Sequence, residues 1–264
     1  MGASTVFRWV DATGSSSLTH LTDRITKHFH GTNVGRWNIS CKLYREVNLA
    51  AAEQERLGQP LPAGQTKPPP EKFLMFLTDS TCPARPHAMV NETIVHVDRE
   101  FELIVQKMKN LWSFRQSSQI DGHEFDLGDF SIKAGNIIVG TSSKGVVVEL
   151  TLYSTALICN FASQIEYRPC IDLTSCRRLL AEFIELLLPP AARLSFAVTP
   201  KPDTSAADQD DPTSTNRPVD VSQLHDRNDV LSPDYARVGL NERYCGPIHS
   251  AYQFFTLFRK DGLL

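Results

Sequence analysis

The sequence predicts an α+β fold, in which an antiparallel, barrel-like β-sheet of roughly eight to ten strands carries flanking helices. Short runs of alternating or β-branched apolar residues follow one another along the chain, and no helical segment separates each pair of runs. Strands in such an order pair as antiparallel neighbours, and a sheet of this size tends to curl and close. The runs are VFRWV, WNISCKLY, KFLMFL, TIVHV, HEFDLGDFSIKAGNIIVG, GVVVELTL, ALICNFASQIEY and RLSFAV.

Four segments have the apolar periodicity of amphipathic helices. Asp98 is expected to cap the second helix, whose apolar face extends to Trp112. Pro189 stops the third helix because proline lacks the amide hydrogen that continues it, and Pro247 suits the first turn of the fourth. The four predicted helices are Leu18–His30, the segment after Asp98 to Trp112, the segment from a cap at Thr174 or Ser175 to Leu188, and the segment from Pro247 onward.

The chain is predicted to form a single barrel-like domain from residues 1–198 plus 236–264. Residues 57–70 contain five prolines, which predicts a surface loop. Between Thr199 and Asp234, eight aspartates face one lysine and two arginines, so this part of the chain carries a local charge of −5. Residues 199–235 are therefore predicted to be an acidic, disordered insertion.

Composition restricts the classes of function. The 264 residues carry a net charge of only −3, which provides no general attraction for nucleic acid. The six cysteines contain no CxxC pair, and this favours a reducing compartment. No apolar stretch is long enough to predict a membrane span, and the first residues do not resemble a signal peptide.

One group of charged residues raises the possibility of catalysis. Glu124, Asp126, Asp129 and Lys133 lie in alternating, strand-like sequence, so some of them could project together into a barrel lumen. This pattern suggests a tunnel-type phosphohydrolase that uses Glu124, Asp126 and Lys133 with a metal and a triphosphate. The alternative is a solvated strand or turn, which the mainly apolar neighbouring strands favour.

Other motifs give no support to an enzyme. Gly140–Gly145 lacks the spacing of a phosphate-binding loop and is flanked by strand-like runs, which predicts a hairpin turn. The histidines and cysteines do not have the spacing of a zinc site. The sequence therefore predicts no catalytic residues, no metal site and no cofactor.

The last predicted helix is apolar on more than one face, although a surface helix needs only one apolar stripe. Either the helix is buried on both sides, or one face binds a partner protein. The residues of this possible interface are Ile248, Tyr252, Phe254, Phe255 and Phe258.

Several motifs occur in a characteristic order along nearly the whole chain. MGASTVFRWV and KFLMFLTD precede FELIVQKMKNLW, QIDGHEFDLGDFSIKAGNIIVG, TSSKGVVVE, IEYRPC, CRRLLAEFIELLLP and YCGPIHSAYQFFTLFRK. In this order they resemble the Mediator complex subunit 20 family. The resemblance implies a barrel flanked by helices in the Mediator head module, paired with subunit 18 and associated with subunit 8. It further implies a nuclear, non-catalytic scaffold in the regulation of RNA polymerase II transcription.

One segment departs from this resemblance. Leu150–Gln164, with the sequence LTLYSTALICNFASQ, interrupts what the family would form as one continuous strand from KGVVVE to IEYRPC. Two hypotheses remain open: the segment forms an extra hairpin, or it is a retained intron translated in frame.

Overall fold

The computed structural model of the chain describes residues 2–47, 72–153, 173–197, 218–224, 231, 233–241 and 246–264. Within these ranges the strands are β1 (Gly2–Trp9), β2 (Thr32–Glu46), β3 (Phe73–Asp79), β4 (His87–Val90), β5 (Thr93–His96), β6 (Trp112–Asp126), β7 (Phe130–Val139), β8 (Ser142–Tyr153), β9 (Arg193–Phe196) and β10 (Val219–Asp220). The helices are α1 (Gly14–Lys27), α2 (Phe101–Lys107), α3 (Leu173–Leu187) and α4 (Pro247–Lys260).

All ten strands form one sheet, in which each strand is antiparallel to its neighbours. The order is β10-β9-β1-β8-β7-β6-β2-β3-β4-β5. The predicted α+β class with an antiparallel sheet and flanking helices is therefore confirmed. Because β10 and β5 remain as two separate edges, the sheet is open, and the description as a barrel applies only loosely.

The predicted hairpin at Gly140 is confirmed. Val139 of β7 pairs directly with Ser142 of β8, and Gly140 has a φ of 61°, which glycine adopts without strain. A second turn, at Gly128, divides the predicted strand run HEFDLGDFSIKAGNIIVG between β6 and β7. There, the amide of Gly128 donates to the carboxylate of Asp126 over 2.9 Å, and β6 ends before β7 begins.

Two predicted helices have different bounds in the structure. α2 begins after Glu100 rather than directly after Asp98, and it ends at Lys107, so Trp112 is not helical. Trp112 instead begins β6, where it pairs with Glu46 of β2. The long ladder between β2 and β6 outweighs the local helical periodicity. α1 begins at Gly14 and ends at Lys27, about one turn earlier at each end than predicted.

The predicted disordered insertion needs correction at its ends. Val219 lies in β10, and Val221, Leu224 and Tyr235 are buried in the main core. The acidic average of residues 199–235 hides these apolar residues, whose burial in the main core stabilises the described ends of the segment. Most of the insertion, like the predicted loop at 57–70, lies outside the described residues.

The segment at Leu150 begins as regular structure. Leu150, Thr151 and Leu152 continue β8, where they pair with β1 on one side and with β7 on the other. Leu150 is fully buried. Residues 154–164, on which the choice between a hairpin and a retained intron depends, lie outside the described residues.

The helices cover the sheet on two faces. α4 contacts β1, β4 and β5 on the face that we call the inner face. α1 and α3 pack on the opposite, outer face, where Phe183 of α3 stacks on Phe130 of β7 with ring centroids 4.2 Å apart. α2 covers a separate part of the outer face over a small second core that contains Tyr44, Leu74, Phe76, Ala88 and Val105.

The close approach of β6 and β7 gives a test of this architecture. A Cβ atom at Gly122 would lie 1.9 Å from the carbonyl oxygen of Ala134, so Gly122→Ala should lower the free energy of unfolding by about 3 kcal/mol or more. At Gly128 no atom lies within 4 Å of the added Cβ, although its φ is 82°. Gly128→Ala is the matched control and should lower the same free energy by only about 1 to 2 kcal/mol. Urea unfolding of both variants measures the difference, and equal losses would contradict the described packing.

Candidate functional site

The residues of the predicted partner interface lie in α4. Phe254, Phe255 and Phe258 are at most 1% exposed, and Tyr252 is 4% exposed. The partner-interface interpretation is therefore wrong for these four residues, because they contact the chain's own sheet and core. Ile248 is half-buried at the amino end of the helix and packs against the same core.

The amino end of α4 is fixed by the predicted Pro247 and by an unpredicted histidine. The ring of His249 accepts a hydrogen bond from the amide of Gly246 over 3.1 Å. Its other ring nitrogen lies 2.9 Å from the carbonyl oxygen of Asn241 and must therefore be the protonated one. Burial lowers the pKa of His249, so this neutral form is maintained.

A buried amide attaches the middle of α4 to β1. Gln253 is 1% exposed, and its oxygen accepts from the amide of Val6 over 2.6 Å. Its nitrogen donates to the carbonyl oxygen of Ser4 over 3.0 Å and to the hydroxyl of Tyr235 over 2.7 Å. These three bonds satisfy the amide's hydrogen-bonding groups, so its burial does not leave a polar atom unpaired.

The carboxyl end of α4 bonds to both sides of the open sheet. Asp261, directly after the helix, accepts from Arg8 of β1 and from Ser195 of β9, each over 2.7 Å. On the other side, Arg259 donates to the carbonyl oxygen of Asn91 over 2.8 Å, in the turn between β4 and β5. The helix thereby joins regions that belong to opposite ends of the strand order.

A cavity of about 220 Å³ with several charged residues in its lining opens beside the amino end of α4, between the helix and the inner face. The ammonium of Lys133 lies 3.5 Å from the carboxylate of Glu149 and 3.9 Å from that of Asp79. Glu149 is only 5% exposed. The cation thus lies between two carboxylates, and because Arg85 also lines the cavity, two cations there balance two carboxylates.

The structure does not assemble the predicted tunnel site. Glu124 is opposite Lys133 in the register of β6 and β7, but its carboxylate accepts from Ser131 over 3.3 Å. Asp126 is exposed and bonds to the amide of Gly128 in the turn. Of the three residues proposed for catalysis, only Lys133 lines the cavity.

Two cavity residues, Asp79 and Glu149, were not predicted. The register of β7 and β8 places Glu149 opposite Lys133. Asp79 lies on β3, which does not pair with β7, so only the three-dimensional fold brings it within 3.9 Å of Lys133. In the part of the chain that the structure describes, no group of three His, Cys, Asp or Glu side chains is placed to hold a metal ion. Within the same residues, no helix is both long and apolar enough to cross a bilayer.

His87 lines the cavity and packs against a second histidine. His87 of β4 is 4% exposed, and its ring lies 4.4 Å from the ring of His96 on β5. Burial lowers the pKa of His87 to about 4, with a further lowering from His96 and an opposing effect from Asp79. His87 is therefore neutral at physiological pH.

The lowered pKa of His87 predicts an acid-sensitive stability. Between pH 6.5 and pH 4 the unfolded chain binds a proton at this position and the folded chain does not. The free energy of unfolding is therefore highest above pH 6.5. It decreases as the pH falls from 6.5 to 4, by on the order of 3 kcal/mol. His87→Phe should reduce this pH dependence in urea unfolding measured across the window. His20→Phe, at an exposed position on α1, is the control, and an unchanged slope in the His87 variant would contradict the prediction.

A known protein family matches nearly the whole of this chain. Residues 1–259 match the model of the family described as the TATA-binding related factor (TRF) of subunit 20 of Mediator complex. The chain belongs to the Mediator subunit 20 family. The predicted resemblance is confirmed, and this membership supports a role as a Mediator subunit in RNA polymerase II transcription.

Similar proteins agree with this assignment. A protein of Aedes aegypti named Mediator of RNA polymerase II transcription subunit 20 is 30% identical over 178 residues, which are 65% of this chain and 66% of the relative. The chain thus spans just under two thirds of that relative's length. The mouse protein of the same name is 23% identical over 71% of this chain and 78% of its own length.

Solved structures show only weak similarity. The PH1012 protein of Pyrococcus horikoshii has a TM-score of 0.35 at 9% identity, over 71% of this chain and 90% of that one. A chain in the structure of the Schizosaccharomyces pombe Mediator head module has a TM-score of 0.27 at 9% identity, over 62% of this chain and 87% of that one. The assignment to the Mediator subunit 20 family does not depend on these structures.

Proposed function

We propose that the chain is a non-catalytic, nuclear scaffold subunit of the Mediator head module, which pairs with subunit 18 and associates with subunit 8. The observation that carries this proposal is the family match over residues 1–259. A match of that extent includes the strands, the helices and the inner helix α4, so it concerns the whole fold rather than a single motif.

The inner cavity supports a structural role rather than catalysis. Lys133 is held between Glu149 and Asp79, which leaves the ammonium poorly placed to bind a phosphate. In a triphosphate-tunnel enzyme, several carboxylates would have to converge on a metal ion instead. We therefore expect no hydrolysis of triphosphates with Mg²⁺ or Mn²⁺. Hydrolysis that is lost in Lys133→Ala would restore the phosphohydrolase hypothesis.

The outer side of α3 is the surface that best fits a subunit partner. Leu179 and Leu186 are 46% and 61% exposed and lie seven residues apart, so both are on one side of the helix. Arg178 and Glu182 form an ion pair with each other beside them. Exposed leucines beside charges that are already paired with each other are compatible with a subunit interface.

Co-expression with subunit 18 tests this proposal. The two chains should co-elute as a stable heterodimer in size-exclusion chromatography. Leu179→Asp combined with Leu186→Asp should weaken the association about tenfold or more, because the carboxylates would be buried against an apolar partner. Leu103→Asp, an equally exposed leucine on α2, is the matched control and should leave the association unchanged.

Two results together would exclude this function. In the first, purified subunit 18 and the chain fail to associate. In the second, tagged chain recovered from nuclear extract brings down no Mediator subunits.

A further inference from the structure

The cavity beside the amino end of α4, which we call the α4 cavity, has the size of a site for a small metabolite. Its volume of about 220 Å³ equals the space of about seven water molecules at about 30 Å³ each. Pockets for drug-sized ligands are larger, at about 300 to 1,000 Å³. Side chains from several strands and from α4 line the cavity, so its walls belong to the packed fold rather than to a loop.

Two buried polar atoms in the lining lack hydrogen bonds. Glu149 is 5% exposed, and its Oε2 accepts no hydrogen bond from any described residue, although the ammonium of Lys133 lies 3.5 Å away. His87 is 4% exposed, and its Nε2 likewise has no hydrogen-bond partner among the described residues. Buried polar atoms in folded proteins are almost always hydrogen-bonded. These two atoms therefore indicate an occupant that supplies the missing partners.

The charges of the lining are separated between the interior and the mouth. Lys133, Glu149 and Asp79 have side chains that are at most 23% exposed, so the interior holds one ammonium and two carboxylates. Arg85 is exposed and therefore lies at the mouth. No ion pair among the described residues includes Arg85. The interior thus favours an additional cationic group, and the mouth favours an anionic one.

The remaining wall of the cavity is apolar. Ile39, Leu77 and Phe254 line it and are at most 2% exposed. An aliphatic group placed against these side chains would be removed from water, which is favourable in proportion to the apolar area covered. The lining therefore combines an aliphatic surface with two opposite charges at different depths.

We propose that the α4 cavity binds a free aliphatic α-amino acid such as leucine. Its ammonium donates to the carboxylates of Glu149 and Asp79, and its carboxylate accepts from the guanidinium of Arg85. The aliphatic side chain packs on Leu77 and Phe254. Because the zwitterion has no net charge, its binding preserves the balance of two cations and two carboxylates in the lining.

Other small occupants fit this lining less well. A phosphate would meet the carboxylates of Glu149 and Asp79, which repel it. A metal ion would require several oxygen, nitrogen or sulfur ligands, and the described residues contain no such group of three His, Cys, Asp or Glu. Water alone remains as the alternative occupant, and it is an outcome of the experiment below.

Saturation-transfer NMR with the full chain and L-leucine tests the proposal. Titration should give a Kd of about 1 mM or tighter. Leucinamide lacks the carboxylate and 4-methylpentanoate lacks the ammonium, so each should bind about tenfold or more weakly than leucine. Each analogue leaves one charged group of the lining without its counterpart.

An arginine variant identifies the residue that reads the carboxylate. Arg85→Gln should weaken leucine binding about tenfold and leave leucinamide binding unchanged, because the amide makes no ion pair with the guanidinium. Arg24→Gln, at an exposed arginine on α1, is the matched control and should not alter the Kd for leucine.

A carboxylate variant tests the interior of the cavity. Glu149→Gln should weaken leucine binding about tenfold, whereas Glu182→Gln on α3 should leave it unchanged. Far-UV circular dichroism checks that the buried substitution preserves the fold. If Glu149→Gln does not fold, the response of Arg85→Gln to leucine and leucinamide still decides the proposal.

Three results would overturn the proposal. One is the absence of leucine binding at about 10 mM, which would leave water as the only occupant of the cavity. Another is equal binding of leucine and leucinamide, which would indicate the amino-terminal residue of a peptide instead of a free amino acid. The third is equal leucine binding by Arg85→Gln and the wild type.

The proposal does not depend on the proposed function. The α4 cavity lies on the inner face, whereas the proposed pairing with subunit 18 uses α3. A chain that binds leucine and fails to associate with subunit 18 would contradict only the proposed function. A chain that forms the heterodimer and does not bind leucine would contradict only the amino-acid site.

Discussion

The burial of α4 against the inner face of the sheet is the interaction on which the rest of the structure depends. A ten-stranded sheet that does not close leaves a large apolar inner surface, and a helix with apolar residues on several faces covers it. Trp37 of β2 packs on Phe254, while Asp261 and Arg259 bond to opposite sides of the sheet. The helix therefore performs the structural task that edge-to-edge hydrogen bonding performs in a closed barrel.

The position of α4 also determines which side chains are covered and which remain exposed. α4 occupies the inner face, and Lys133, Glu149 and Asp79 share a small cavity beside the amino end of the helix. Buried charges of this kind have to be paired, and here they pair with one another. Exposed apolar side chains on α2 and α3, among them Leu103 and Leu186, remain available to other molecules on the outer face. This division agrees with a scaffold subunit, whose function depends on its exterior.

Sequence patterns predict the regular parts of the fold and fail where distant contacts decide the outcome. Gly140 and Pro247 mark a turn and a helix start through purely local chemistry. Trp112 lies in helical periodicity, but pairing with β2 places it in a strand. Val219 and Leu224 are hidden in acidic surroundings although both are buried in the core.

The residues of the candidate site show the same limit of prediction from sequence. Lys133 could be recognised from strand alternation, whereas Glu149 is placed beside it by the register of β8 and Asp79 by the fold of the sheet. Phe255 was expected either to be buried or to bind a partner, because an apolar helix face is compatible with both. Only the position of the helix within the sheet distinguishes these possibilities.

Native-state hydrogen exchange of α4 tests the central claim most directly. If the helix is the internal support of the open sheet, the amides of Phe255 and Phe258 should exchange only through global unfolding. They should then have the same exchange free energy as the amides of Ile120 in β6 and Ile137 in β7. Exchange of the α4 amides with a free energy several kcal/mol lower, while β6 and β7 remain protected, would show that the sheet is stable without the helix and would contradict the account.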